Sequence, residues 1–517
     1  MSVTKYISRI GRTIKSRLLG PTVTNLIRHT FSSSTNNVLN NKILDEALYL
    51  KEAFNLVNKK KHRELIIDTL SKSELEGLGY LDHAHAKISL ATSPEQFCKA
   101  LNIDLKYLNP KKPELRTESF LSRMVYDEPL KSKGALHSYQ LRLKQELLHD
   151  IKNVAFKSHL CTMPTGAGKT TLAHETIIDL IRSSPLNKPF NFIWIVQEGI
   201  LAEQSLKSFY SLWRLKGHSD LRINRFFGDF EGSVIEGKIP TATFATFTLA
   251  SVRLEDAKFL NLLANADLLI IDEAHSSKAE TYEDVIQKFR QINRSGQLLG
   301  LTATPYRPDD DQFDSVSSLF ENRREITDNT GNKLSSPINH LIEGNYLSQV
   351  EFYELNISKS SSEEFEYYQD LHENILLACT SLRKDNLNCI IFAESMSHAV
   401  TLQLLLSYNK FKSAVIIGDT PPAERERLLN AFASKENDLN FLVNHEILSK
   451  GLDVPALNSI MILGKVGNPA QALQILGRAM RGPKNGGNAQ NKIYLTKDNY
   501  DRISNFGMLE KITLNHE

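Results

Sequence analysis

Cysteine is scarce in this chain. The four that occur in 517 residues, Cys98, Cys161, Cys379 and Cys389, form no CxxC pair. That spacing argues against a zinc ribbon and against a disulfide framework, and it fits a reducing compartment. No apolar run approaches the ~18 residues of a membrane helix, so no membrane association is expected. No repeat of solenoid period is visible. Acid is missing from one region only. Residues 1–44 hold seven Lys or Arg (Lys5, Arg9, Arg12, Lys15, Arg17, Arg28, Lys42) and no Asp or Glu. The rest of the chain carries 55 basic against 60 acidic side chains, which hides beneath a formal net charge of +2. Overall charge therefore gives no attraction to a polyanion, and any nucleic-acid site in the body must be a local basic groove.

What is present is ordinary globular composition, 41% hydrophobic and 24% charged, with length for about three domains. In residues 1–44, Ile7, Ile10, Ile14 and Leu18 fall on one helical stripe, followed by the polar run Ser32 to Asn37. Two readings stay open: a basic N-terminal arm of a protein of the bacterial cytoplasm, or a presequence directing the chain to the mitochondrial matrix. Residues 45–130 read as a mostly helical accessory region, with Leu44, Ala47, Leu48 and later Leu70, Leu75 and Leu78 in helical pattern. Within it, Lys59-Lys60-Lys61-His62-Arg63 reads as a solvated helix face, with phosphate contact as the alternative.

From about 131 the pattern becomes strands alternating with helices. Phe192–Val196, Leu268–Ile271 and Leu298–Leu301 are short apolar runs, each followed by polar residues. Buried parallel strands ending at a ligand-binding edge look like this. A second set contains Cys389–Phe392, Ala414–Ile417, Phe441–Val443 and Ser459–Leu463. Residues 131–357 and 358–517 are thus expected to be two tandem α/β domains, joined through the polar stretch 358–363.

Three segments carry chemistry. Met163-Pro164-Thr165-Gly166-Ala167-Gly168-Lys169-Thr170 stands between a strand and a helix that begins near Thr171. Glycines let backbone N–H groups approach phosphate, Lys169 supplies a cation to the terminal phosphates, and Thr170 a hydroxyl for Mg²⁺. Thr165 to Thr171 are the expected phosphate-binding residues. Asp272, at the carboxyl end of an apolar strand, suits Mg²⁺, and Glu273 suits orientation of an attacking water. Arg478 and Arg481, three apart on an expected helix with Gln474 and Gly477 before them, would share one face and neutralise phosphate charge in a transition state. A phosphate cradle, a carboxylate pair and an arginine pair together suit ATP hydrolysis.

These segments, with the residues between them, resemble the superfamily-two helicases and translocases over about 134–500. The resemblance implies two RecA-like domains, ATP and Mg²⁺ as ligands, and nucleic acid as partner. In that pattern Tyr139-Gln140 matches the adenine-reading segment, with Gln140 as reader. Val196-Gln197-Glu198 through Gln204, and Thr246-Phe247, match strand-contacting segments. Leu301-Thr302-Ala303-Thr304-Pro305 matches the segment coupling hydrolysis to domain movement. Ser449 to Pro455 matches a segment touching strand and nucleotide, with Gly451 and Asp453 on the nucleotide side. His275, the last letter of the Asp-Glu-Ala-His box, reads as coupling the two domains by hydrogen bonding, with a packed histidine as the alternative. The box, the Gly-Leu-Thr-Ala-Thr-Pro-Tyr-Arg string and the Gly-x-Asp-Val-Pro string are most similar to the restriction-enzyme and repair branch, which favours DNA and leaves room for a protein partner complex. The expected activity is a helicase or translocase of genome maintenance or defence, with a non-unwinding DNA-dependent motor or switch as the alternative. The chain departs from the pattern at Met163, where Gly is usual, and at Gln197-Glu198, where Pro-Thr is common. Only 36 residues follow Arg481, leaving no room there for a nuclease or winged-helix module.

Overall fold

The computed structural model describes the chain except residues 1–2, 32–40, 109–117, 122–135, 154–155, 186–187, 231, 236, 238, 275–278, 304–317, 329, 356–363, 435–438, 446–456, 468, 506–513 and 516–517. It divides into two compact units. One comprises residues 112–349 with 468–485; the other comprises 1–111, 350–467 and 486–517. These units do not follow the chain-order division expected. The N-terminal helices join the second sheet, and a short piece of the second half joins the first. Amphipathic periodicity shows that a face must be covered, but not which element covers it.

The first unit is built on an eight-stranded sheet. Its strands are β1 (Glu118–Leu121), β2 (Ser158–Thr162), β3 (Phe192–Val196), β4 (Leu221–Phe226), β5 (Thr241–Thr246), β6 (Leu268–Ile271), β7 (Gln297–Thr302) and β8 (Asn322–Glu325). Their order is β1-β4-β5-β3-β6-β7-β2-β8. Only β1 runs antiparallel to its neighbour; the others pair in parallel. The strands β3, β5, β6 and β7 are buried along their whole length, as expected of a sheet covered by helices on both faces. Parallel strands place their carboxyl ends along one edge, so the residues after β2 and β6 meet there.

The second unit holds β9 (Gln349–Glu354), β10 (Cys389–Phe392), β11 (Ser413–Ile416), β12 (Phe441–Asn444), β13 (Ser459–Ile462), β14 (Gln490–Leu495) and β15 (Leu514–Asn515). Their order is β11-β12-β10-β13-β14-β9-β15, with β11 through β14 paired in parallel. Two parallel α/β sheets of this kind are the expected tandem RecA-like architecture, with a mostly helical N-terminal region.

The helix Met396–Tyr408 in this unit is buried at every position from His398 to Leu406. A helix buried all round needs cover on its outer side. The N-terminal helices Pro21–Phe31 and Asn41–Asn58 supply it by packing on Met396–Tyr408, and Pro21–Phe31 also packs on Glu364–Lys384. Val3, Ile7, Leu19, Val23, Ile27 and Phe31 lie in the same continuous core as Leu371, Ile375, Leu402 and Ile391. Phe31 meets Tyr408 edge-on at 5.6 Å, and Thr30 Oγ1 lies 3.3 Å from His372 Nδ1. Several of the basic residues of this region are committed locally. Lys15 is buried and ion-paired with Asp45, and Arg9 makes a two-pronged bond to Glu74 at 2.9 and 3.0 Å.

The basic run 59–63 is not uniformly a solvated face. Lys59, Lys60 and Lys61 are exposed. Arg63 is buried and its guanidinium donates to the carbonyls of Val57 (2.7 Å) and Ala91 (2.9 and 2.5 Å). It satisfies helix-end carbonyls that would otherwise be buried without partners.

Because Ile27 is fully buried in the shared core, Ile27→Ala is expected to destabilise the second unit by about 2–5 kcal/mol, as large-to-small core changes do. Urea unfolding checks this. A midpoint equal to that of the unchanged protein would mean that the N-terminal helices do not share this core.

Candidate nucleotide site

The strand β2 ends at Thr162, and residues 163–168 turn the chain into the helix Lys169–Ser183. Met163 is fully buried, and its N–H donates to the Thr302 carbonyl at 3.0 Å. The departure from glycine is therefore taken up by the core beneath the loop. The two glycines that remain are used as such. Gly166 and Gly168 have φ of +83° and +82°, a region other residues enter only with strain. A Cβ on Gly168 would lie 2.4 Å from Gln140 Nε2.

Gln140 and Tyr139 open the helix Ser138–Asn153. Both donate to the Ala167 carbonyl at 2.9 Å, and Gln140 Oε1 accepts from the His137 N–H at 2.8 Å. In this structure the expected adenine reader thus braces the loop itself. Thr165 Oγ1 is buried without a hydrogen-bond partner, and Thr170 and Thr171 are half-buried in the first helical turn.

Lys169 is buried, with Nζ 2.9 Å from Glu273 and 3.9 Å from Asp272. Burial pulls the Lys169 pKa down, but Glu273 and Asp272 outweigh it and leave it raised, so the amine stays charged. Burial pushes the Asp272 carboxyl above its ordinary range, against the Lys169 cation, which lowers it. Asp272 is fixed at its own N–H, which donates to the Ile195 carbonyl at 3.0 Å. Its side chain accepts from the Glu273 N–H at 3.0 Å. Glu273 has φ of +53°. For a residue with a side chain this costs on the order of 1 kcal/mol, and such strain gathers at functional sites.

The donor set suits Mg²⁺. Asp272 and Thr170 offer hard oxygens, and Asp272 is a buried carboxylate 3.9 Å from the Lys169 amine. Among the described residues no group of three metal-ligating side chains occurs. Mg²⁺ does not require one, because it commonly takes its other oxygens from phosphates and water.

The arginines are placed differently from the expectation of one helix face. The helix Pro469–Leu476 ends before them. Arg478 lies in the following turn, and Arg481 sits in an isolated antiparallel bridge opposite Leu347. Gly477 has no side chain to shield the last turn, and competing backbone bonds take over. The Ser348 N–H donates to Met480 O at 3.0 Å, Ser348 Oγ to Arg481 O at 2.5 Å, and the Gly482 N–H to Tyr346 O at 3.1 Å. This hook brings the arginine turn to the phosphate loop. The Cβ position of Gly166 is 3.2 Å from Leu347 Cδ2 and 3.5 Å from Gly477 O. Gly451 and Asp453, with the rest of 449–455, lie outside the described residues, as do His275, Thr304 and Pro305.

A ring cluster beside Gln140 had no signal in the sequence. His137 lies 4.7 Å and Tyr139 4.9 Å from Tyr346, ring centre to ring centre. His137 Nε2 meets Asn485 Oδ1 at 2.7 Å, and Lys484 Nζ stands 4.3 Å over the Tyr346 ring. Only the hook, which joins segments distant in the chain, assembles these residues.

Comparison with known proteins identifies two family domains along the chain. The family described as Type III restriction enzyme, res subunit matches residues 133–307, and the helicase conserved C-terminal domain matches 368–483. IRC3 of Saccharomyces cerevisiae, named as an ATP-dependent helicase, is 22% identical over 334 residues, covering 62% of this chain and 46% of that protein. The match thus spans about half the length of that relative. The DNA 3'-5' translocase XPB2 of Sulfurisphaera tokodaii is 25% identical over 469 residues, covering 80% of this chain and 91% of that one. Among solved structures, a fragment described as the HsdR subunit of a type I restriction enzyme from Vibrio vulnificus has a TM-score of 0.51 at 16% identity. It covers 82% of this chain and 73% of that one, and it supports the fold.

Lys169→Ala is expected to abolish ATP hydrolysis and weaken nucleotide binding, because the phosphates lose the loop's cation. It should also destabilise the nucleotide-free protein by about 3 kcal/mol, since the buried Asp272 carboxylate loses its neighbouring cation. Turnover and thermal unfolding of the variant read the two effects separately, and near-normal turnover would contradict the assignment of the phosphate loop.

Proposed function

We infer from this chain's membership of the superfamily-two helicases and translocases, in the branch of the restriction-enzyme subunit, that it couples ATP hydrolysis to movement along DNA. The family makes the chain an ATP-hydrolysing enzyme that acts on nucleic acid. The DNA substrate and a role in genome maintenance or defence are the proposal. The observation that carries it is the convergence on one sheet edge of Lys169, Asp272 and Glu273, with the backbone of the Gly477–Met480 turn against Gly166. Similarity to the DNA translocase XPB2 over most of both chains supports DNA as the strand. No helix of the described residues is long and apolar enough to cross a membrane.

The roles follow from the chemistry of the residues. Backbone N–H groups of residues 165–170 bind the phosphates. Lys169 turns from the carboxylates to the terminal phosphates when nucleotide enters. Asp272 and Thr170 would hold Mg²⁺, which supplies charge neutralisation at the phosphate oxygens. Glu273, freed from Lys169, orients the attacking water and accepts its proton. Arg478 and Arg481 supply cations to the charge that develops on the transferred phosphoryl group. Gln140 and the ring cluster about Tyr346 bound the base end of the site. Gly451 and Asp453 complete the nucleotide contacts in this reading.

The decisive experiment measures the ATPase rate with single-stranded DNA, duplex DNA, forked DNA and RNA in turn, followed by strand displacement on the fork. Stimulation by DNA above RNA is expected. Equal stimulation by RNA would overturn the DNA assignment. Hydrolysis and translocation without displacement would make the protein a motor serving a partner complex.

Three variants test the roles. Glu273→Gln should keep ATP binding and stop turnover, because the amide preserves shape but cannot take up a proton; loss of ATP binding would make Glu273 structural. Arg478→Ala and Arg481→Ala should each lower turnover on the order of 10³-fold while sparing ATP affinity, and the two losses should not multiply, since both act on one phosphoryl group. Full DNA-stimulated turnover in either variant would remove the arginines from the mechanism.

A further inference from the structure

Beneath the carboxylates lies a buried polar group that the roles above do not use. Trp194 is fully buried on β3, and its Nε1 has no hydrogen-bond partner. An unpaired buried donor of this kind is costly to the fold. In the parallel pairing of β3 with β6, Trp194 stands opposite Ile270. Side chains alternate along a strand, so Trp194, Ile270 and Asp272 share one face of the sheet. The helix Lys169–Ser183 packs over that face. Its His174 ring lies 4.6 Å from the Trp194 ring, centre to centre. His174 is buried too, with neither ring nitrogen hydrogen-bonded, and burial pushes its pKa down to about 3. It is therefore a neutral ring that packs on the indole and carries no charge to compete for Asp272.

We propose that Trp194 is a positioning residue for Asp272, its indole N–H closing on an Asp272 oxygen when Lys169 leaves the carboxylates for the nucleotide. This rests on the reading of the site given above. In the present structure Lys169 lies between Asp272 and Glu273 and takes up their charge. Once the lysine moves to the phosphates, Asp272 is left buried with one amide donor, the N–H of Glu273. A second fixed donor would hold the carboxylate plane while leaving oxygen lone pairs for the metal. Metal ligands are commonly fixed this way by hydrogen bonds from behind. Asp272 follows two residues after Ile270, the cross-strand partner of Trp194, so the indole and the carboxylate stand side by side on that face. A phenyl ring at this position would fill much of the same space without the donor.

The chain has two tryptophans, Trp194 and Trp213, so indole-labelled protein gives two N–H resonances, and Trp213→Phe assigns them. On adding ADP and then Mg²⁺, the Trp194 resonance is expected to shift downfield at the Mg²⁺ step, and Asp272→Asn should remove that shift. Calorimetry provides the second reading. Trp194→Phe should bind ADP without metal as the unchanged protein does, while the gain in ADP affinity on adding Mg²⁺ falls about tenfold. An unmoved resonance in the unchanged protein overturns the proposal even if the variant fails to fold, and so does a variant that keeps the full Mg²⁺ gain. If the unchanged protein binds no ADP at all, it is the nucleotide-site reading that fails.

Discussion

The buried contact of Lys169 with Asp272 and Glu273 is the constraint around which the first unit is organised. Its members come from two strand ends that are not neighbours. β7 lies between β2, which leads into Lys169, and β6, which leads into Asp272. The end of β7 ties both together. The Leu301 carbonyl accepts from the Ala274 N–H at 2.8 Å, and the Thr302 carbonyl from the Met163 N–H at 3.0 Å. Lysine and carboxylates are thus set in place by backbone bonds before their charges interact. That matters because a buried ion pair gains little over its desolvation cost unless its geometry is held by other means.

The same contact gives the site two states without invoking flexibility. A lysine paired with Glu273 and near Asp272 offsets a carboxylate charge that would otherwise be buried alone at Asp272. A lysine paired with phosphate leaves those carboxylates to a metal and a water. In the proposed reading nucleotide binding is an exchange of partners among fixed groups, and Glu273, with its φ of +53°, is one of those groups.

The second unit solves a different problem. Its helix Met396–Tyr408 is buried on every side from His398 to Leu406, which one sheet alone cannot achieve. The helices of the first 58 residues complete that core, with Val3, Ile7, Ile27 and Leu48 fully buried. Their basic residues lie on the outside or are bound locally, as Arg9 is to Glu74 and Lys15 to Asp45. Within the acid-free residues 1–44, the apolar stripe of Ile7 and Ile10 belongs to a folded core.

What the sequence determined by itself was the local chemistry. Gly166 and Gly168 mark a loop in a conformation open to glycine, and Lys169 and Thr170 follow at the required spacing. Apolar runs of four or five residues ending in polar ones mark parallel strands, and Asp272-Glu273 after one of them marks the sheet edge. These are legible because period and spacing of a few residues act through the backbone directly. The tertiary structure alone decided which distant segments meet. It ended the helix before Arg478 and carried the arginine turn to Gly166 through backbone bonds to residues 346–348. It gathered His137, Tyr346 and Asn485, and it set Trp194 beneath Asp272. Such contacts depend on how sheets and helices stack, and no local pattern encodes which of several compatible surfaces becomes the partner.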